Sequence, residues 1–246
     1  MIDPAARIEA YRAAHERVLA RIAAACARAG RDPDEVTLVA VSKTVPADAL
    51  RDAVAAGLTL LGENRVQEAA GKVPEVPGAR WHLVGPLQSN KARRALETFD
   101  AIQSVDSVAL AQRLDRLAGE VRPGRPYPIL LEVNVDDDPA KAGFAPPDLA
   151  RDIEALGPLR SLSVDGLMTI GRQVAVPDAA RPTFEALRDL SEDLRRGGAP
   201  LGPALSMGMT DDFEIAVEAG ATIVRVGRAI FGERDHDHDG AHPHEH

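Results

Sequence analysis

The sequence predicts a (β/α)8 TIM barrel with an extra N-terminal helix. Short β-rich runs alternate with helix-length stretches along the chain, and eight such units in 246 residues is the arithmetic of this barrel. A Rossmann glycine fingerprint is absent, and so is a P-loop, because AAGKV at 69–73 lacks the upstream glycine at the required spacing. A doubly wound open sheet remains the competing α/β layout.

Taken in order, residues 4–29 set Ile8, Tyr11, Val18, Leu19 and Ile22 at roughly helical spacing, and Gly30 ends the pattern, so a long helix leads. Strands are expected at 36–42, 58–64, 80–85, 101–106, 127–135, 163–170, 204–208 and 221–227, each rich in β-branched or other apolar residues. Helices are expected at 46–56, 63–72, 89–98, 107–118, 147–156, 178–196 and 210–219. Ser89, Ser107 and Thr210 stand where N-caps belong, and Gly57 and Gly220 where helices close. These units make one domain, 1–234. The remainder, 235–246, reads DHDHDGAHPHEH, holds five of the seven histidines and has no apolar periodicity, so it is expected to be a solvated, disordered tail whose metal binding is adventitious; a physiological site for a divalent transition metal is the alternative.

Composition narrows the function. The net charge of -9 and a pI near 5.3 leave no general basic face for phosphate backbones, and five Phe, two Tyr and one Trp give few platforms for stacking bases, so no nucleic acid partner is expected. The single cysteine, Cys26, excludes an internal disulfide and a cysteine-rich metal cluster. With no basic-then-apolar leader and no apolar run near the ~20 residues of a spanning helix, the expectation is a cytoplasmic protein with no membrane partner.

Only four lysines occur: Lys43, Lys72, Lys91 and Lys141. Lys43 follows the first strand directly, the position from which a barrel strand presents its first active-site residue. An ammonium held among apolar neighbours loses its proton more readily, and the neutral amine attacks aldehydes to form a Schiff base; an ordinary ion-paired loop lysine is the alternative. Lys72 ends a helix, Lys91 lies in a first turn and Lys141 sits in a polar loop. At the other end of the chain, Ser206 and Gly208 follow the seventh strand and Gly227 the eighth, ahead of a short RAIF segment. In barrels this is the usual phosphate site, where glycines let backbone N–H groups approach an anion; tight turns alone would also call for these glycines. Alternation in TIVRVG sets Arg225 with Ile223 on one face and the valines on the other, so the arginine points into the barrel. Its partner is then either a barrel carboxylate, Glu63 or Glu132, or a ligand atom. Asn64 and His82 end the second and third strands, where polar residues line a pocket, although a lone histidine also serves structure.

AVSKT (40–44), GENRVQE (62–68), WHLVGPLQSNK (81–91), GLMTI (166–170) and the long run 205–232 together resemble the pyridoxal phosphate homeostasis protein family, whose members are similar to the barrel domain of alanine racemase. The resemblance implies that Lys43 holds the aldehyde of pyridoxal 5′-phosphate, that Ser206, Gly208 and Gly227 hold its phosphate, that Arg225 faces the pyridine nitrogen, and that Asn64 and His82 line the pocket. Pro86 and Thr210 depart from the family, which often has histidine and serine there. The implied role is carriage or buffering of the cofactor without turnover, with apo-enzymes as its recipients. A racemase of this kind needs a tyrosine as second base, and Tyr11, in the leading helix, and Tyr127, at the start of the fifth strand, are both badly placed. An amino-acid racemase or other pyridoxal phosphate enzyme, and a Schiff-base aldolase acting on a sugar phosphate, remain the alternative readings.

Overall fold

The structure, a computed structural model, describes residues 3–172 and 174–232; the tail 235–246 lies outside the described residues. Eight parallel strands close on themselves in sequence order: β1 (Thr37–Val41), β2 (Leu60–Glu63), β3 (Arg80–Leu83), β4 (Ala101–Val105), β5 (Tyr127–Glu132), β6 (Leu162–Met168), β7 (Ala204–Ser206) and β8 (Ile223–Val226). Closure comes from β8 pairing with β1, Val39 opposite Arg225, so the open doubly wound sheet is excluded. The helices are α1 (Pro4–Ala29), α2 (Ala47–Ala55), α3 (Val66–Lys72), α4 (Ala92–Thr98), α5 (Val108–Val121), α6 (Pro146–Asp152), α7 (Arg181–Arg196), α8 (Phe213–Glu218) and the single turn α9 (Arg228–Phe231).

The strands are shorter than the sequence pattern suggests. Apolar, β-prone residues continue past Glu132 and Met168, but beyond β5 and β6 only an isolated parallel bridge, Val133 to Phe144, is formed among the described residues. Several helices are preceded or followed by 3-10 turns, as at Ser89–Lys91 and Ile153–Leu156. Ser107 caps α5 by accepting from Leu110 N at 3.3 Å, whereas no side chain caps α4 or α8, so Ser89 and Thr210 do not serve as expected. Gly57 and Gly220 do close their helices, both at positive φ.

Alternation sorts the barrel wall into two faces. Leu61, Leu83, Ile102, Leu131, Leu167, Leu205, Val224 and Val226 join the main core between strands and helices. Val39, Leu60 and Val84, with Val41 and Ile223, form a separate cluster on the inner face. α1 is the addition to the eightfold plan. Its buried Ala14, Val18, Ile22, Ala25 and Cys26 pack it along α8, α2 and α9; Arg21 grips Glu214 with two bonds of 2.9 and 2.8 Å and stacks on Phe213 at 4.4 Å.

β6 and β7 approach so closely that a Cβ on Gly166 would lie 1.9 Å from the Ala204 carbonyl oxygen. Gly166→Ala is therefore expected to cost about 3 kcal/mol or more, a fall in Tm of roughly 6–12 °C for a domain of this size, checked by calorimetry and urea unfolding.

Candidate functional site

The carboxyl ends of the strands hold the site. Four of the inner strands contribute to one chain of hydrogen bonds built around Arg225, which is buried. Its Nη1 donates to Ser206 Oγ at 2.7 Å and its Nη2 to the Thr169 carbonyl at 2.8 Å. Ser206 Oγ donates in turn to Gln103 Oε1 at 2.6 Å, and the Gln103 amide nitrogen meets His82 Nδ1 at 2.8 Å. Each link dictates the next: the guanidinium can only donate, so Ser206 must accept and spend its own proton on the glutamine oxygen. The amide then offers N–H to Nδ1, which leaves the imidazole proton on Nε2. Burial lowers the His82 pKa to about 4, in keeping with this neutral tautomer.

The charges around the network are set by desolvation. Burial lowers the Arg225 pKa to about 10, opposed by Glu132 and Asp212, so it stays cationic at neutral pH. Glu132, on the inner face at the end of β5, is raised to about 6 by burial first and Asp106 second, with Arg225 pulling the other way. It lines a cavity of about 170 Å³ at the mouth with Pro86, Asn134 and Lys141 among others. Glu63 faces the opposite way. It lies on the outer side of β2 beneath α3 and takes Lys72, at 2.8 Å, so of the two carboxylates expected near Arg225 only Glu132 is available.

Lys43, half-buried, occupies a turn immediately beyond β1. Val45 N closes the turn on the Ser42 carbonyl at 3.1 Å, and Thr44 within it has φ +68°, a left-handed conformation that costs a β-branched residue about 1–3 kcal/mol. Because β1 lies between β8 and β2, Lys43 emerges beside the strand that carries Arg225. The other lysines are differently occupied. Lys72 Nζ donates to Ser42 O, Glu63 Oε1 and Glu68 Oε1 at 3.1, 2.8 and 2.6 Å, all three protons spent. Lys141 Nζ bonds the Ile170 carbonyl at 3.0 Å, with Asp136 and Asp138 near it at 3.8 and 3.7 Å.

The remaining expected site residues divide. Gly208 (φ +89°) follows β7 with its α-carbon against α8, where a Cβ would come within 2.5 Å of Ala216 Cβ; its carbonyl accepts from Arg225 N at 3.0 Å. Gly227 precedes α9, and a Cβ there would press on the Val41 carbonyl at 3.1 Å, so packing disfavours a side chain at both glycines, far more strongly at Gly208. Asn64 follows β2, its backbone so close to Gly85 that a Cβ on the glycine would sit 2.5 Å from the Asn64 oxygen. Ser206 and His82 are drawn into the interior network with their side chains engaged. Sequence reasoning missed Gln103, although an amide inside the apolar run AIQSV on the inward alternation was a signal, and it missed the Lys72 cluster. Tyr127 OH bonds the Phe99 carbonyl at 2.8 Å, at the amino end of β5, and Tyr11 packs edge-on against Phe231, centroids 5.5 Å apart.

The site is thus defined by a closed parallel barrel with a lysine just beyond its first strand and an arginine inside its last. The chain matches the model of the alanine racemase N-terminal domain over residues 16–235. It is similar to the pyridoxal phosphate homeostasis protein of Pseudomonas aeruginosa, 46% identical over 89% of this chain and 94% of that protein, and to that of Aquifex aeolicus, 40% identical over 89% and 96%. The solved structure of PipY from Synechococcus elongatus with PLP bound is 44% identical, with a TM-score of 0.75 over 86% of this chain and 100% of that one. The chain belongs to the alanine racemase N-terminal domain family and, within it, to the pyridoxal phosphate homeostasis proteins.

Removing the amide link exposes its value. Gln103→Leu leaves His82 Nδ1 and the Ser206 hydroxyl without their partners, at a cost of roughly 1–3 kcal/mol for each buried group, read by urea unfolding. His82 itself is charged in the unfolded chain below pH ~6.5 and neutral when folded down to about 4, so this residue lowers stability as pH falls through that window. In an NMR titration its ring is expected to stay neutral at pH ~5.5, where an unperturbed histidine is mostly protonated.

Proposed function

We propose that the protein binds pyridoxal 5′-phosphate at the barrel mouth through Lys43 and carries or buffers it for apo-enzymes, without turnover. The observation that carries this reading is the adjacency of Lys43, in the turn beyond β1, to Arg225, buried on the neighbouring β8. The relatives' name and the PLP held by PipY support the same cofactor. The donor set suits it: a lysine, an obligate cation on the inner wall for a ring nitrogen acceptor, and backbone N–H groups at the start of α9, which have no acceptor within their own helix. When bound, the cofactor supplies an aldehyde that a lysine amine can condense with, and an aromatic ring able to withdraw electrons.

The chain's residues divide the labour. Arg225, held by Ser206 and the Thr169 carbonyl, keeps its charge and its orientation. Gln103 and His82 act from below it, stiffening the wall on which the ring would rest, and Asn64 flanks the mouth from β2. Gly208 and Gly227 let the two strand-end backbones close around a phosphate. Tyr127 lies at the amino end of β5, bonded to the Phe99 carbonyl, and Tyr11 is packed on Phe231 in the helical layer, which supports carriage over racemisation, and a guanidinium that keeps its proton makes a poor acid for the ring. Among the described residues no helix is long and apolar enough to cross a membrane; with one buried cysteine, cytoplasmic residence is the reading that fits. The tail 235–246 is assigned no part in binding.

One observation favours a second reading. Glu132, raised to about 6, is a carboxyl at the mouth able to exchange a proton near neutrality, the property of a general base. Slow amino-acid racemisation abolished by Glu132→Gln would support a weak enzyme; no turnover across amino acids supports the carrier. The aldolase alternative draws no comparable support.

Two measurements test the assignment. Lys43→Ala is expected to remove borohydride-trapped pyridoxal phosphate and the visible absorbance of the loaded protein while leaving Tm within a few degrees; full trapping on another lysine would overturn it. The wild type is expected to hold pyridoxal phosphate on the order of a hundredfold more tightly than unphosphorylated pyridoxal, the value of one or two charge-assisted hydrogen bonds, and equal affinities would remove the phosphate from the β7–β8 end.

A further inference from the structure

We propose that Glu63, Lys72 and Glu68 are positioning residues that clamp the backbone on both sides of Lys43 and so aim its amine into the mouth. The proposal rests on Lys43 being the attachment residue. Before Lys43, the Ser42 carbonyl accepts from Lys72 Nζ at 3.1 Å while the Ser42 hydroxyl donates to Glu63 Oε1 at 2.8 Å. After it, the Thr44 N–H donates to Glu68 Oε1 at 2.8 Å. Lys72 joins the two sides, its ammonium lying between Glu63 Oε1 and Glu68 Oε1 at 2.8 and 2.6 Å.

The geometry gives the cluster a task beyond holding α3 to the barrel. Thr44 sits at φ +68°, a conformation that glycine or asparagine adopts readily and threonine does not, and strain of this kind persists only where surrounding bonds impose it. The Glu68 bond to the Thr44 N–H is one such bond, and the Lys72 bond to the carbonyl that closes the turn is another. Glu63 is fully buried and Lys72 is 11% exposed, so water competes poorly for this pair. None of the three carboxylate and ammonium groups belongs to the inner wall: the clamp works from behind β1 and β2, through the peptide groups that flank Lys43.

The test uses the full chain loaded with pyridoxal phosphate and reads affinity, the site of borohydride trapping, and the visible circular dichroism of the bound chromophore, which reports a fixed orientation and would not respond to a purely structural contact. Glu68→Gln weakens the carboxylate grip on Thr44 at a partly exposed position. It is expected to lower affinity about tenfold and to diminish the visible dichroism, with trapping still at Lys43 and Tm nearly unchanged. Adding Thr44→Gly, which removes the strain that Glu68 opposes, is expected to restore most of both signals. Lys72→Met paired with Glu63→Gln, which leaves no buried charge unpaired, is expected to match Glu68→Gln. Wild-type affinity and dichroism in Glu68→Gln and in the double variant, or a loss that Thr44→Gly does not relieve, overturns the clamp. Trapping of the wild type at a lysine other than Lys43 overturns the attachment reading, and the clamp with it.

Discussion

A guanidinium that cannot shed its proton, enclosed within a parallel barrel, obliges the strands around it to supply acceptors, because an uncompensated buried charge costs several kcal/mol. Closing eight strands in order sets β8 beside β1 and β7, which brings Ser206 and the chain beyond β6 within reach of Arg225. Ser206 answers with a lone pair and must then place its own proton, Gln103 takes it, and the far end of the amide settles the tautomer of His82. Side chains on β3, β4, β7 and β8 are thus chosen by one charge. The acidic complement follows the same logic: Glu132 and Asp212 lie near enough to hold the guanidinium cationic while remaining clear of its hydrogen-bonding atoms. Beside it on the inner face, Val39, Val41, Leu60, Val84 and Ile223 form an apolar cluster that needs no acceptor.

The outer face of the same wall solves a different problem. β1 ends in Ser42, whose side chain follows the outward alternation of Ala40 and meets Glu63 behind β2. A buried carboxylate there needs a cation, and α3 delivers one from its last residue, Lys72. Burial raises the pKa of the Glu63 carboxyl, and the hydrogen bonds from Lys72 and Ser42 offset part of that rise. The short helix α3 is fixed to the barrel both by this pairing and by its buried Val66 and Ala69.

Much of this architecture was legible in the chain. The eight units, the long leading helix and the inward direction of Arg225 all follow from alternation and spacing, since valines on both sides of an arginine leave it only one face. Lys43 was legible because a lysine directly after an apolar strand has a definite place in a barrel. What escaped was what depends on pairing across distance. Ser42 and Lys72 are 30 residues apart, and their meeting depends on which side of β2 Glu63 takes, a choice that GEN, at the very end of a strand, does not reveal. Strand ends ran long for a related reason: the β-prone residues after Glu132 and Met168 keep their propensity where continuous strand pairing has ended. Ser89 and Thr210 carry capping side chains, yet 3-10 and irregular turns intervene before the helices, and local preference yields to how the loops must leave the barrel.

The two clusters share no side chain, and what joins them is β1. Val39 pairs with Arg225 on one side of the strand and Val41 with Gly62 on the other, so the strand registers the inner network of β8 against the outer ion pair of β2 within a few residues of Lys43. Gly62 sharpens that register, since a Cβ there would come within 2.8 Å of Val39 Cγ1 and force β1 and β2 apart. Gly227, just past β8, adds a milder constraint, since a Cβ there would lie 3.1 Å from the Val41 carbonyl oxygen. Glycines at these two points hold the neighbours of β1 at close range from both flanks, and the turn that carries Lys43 inherits its position from that spacing before any side chain in either cluster acts on it.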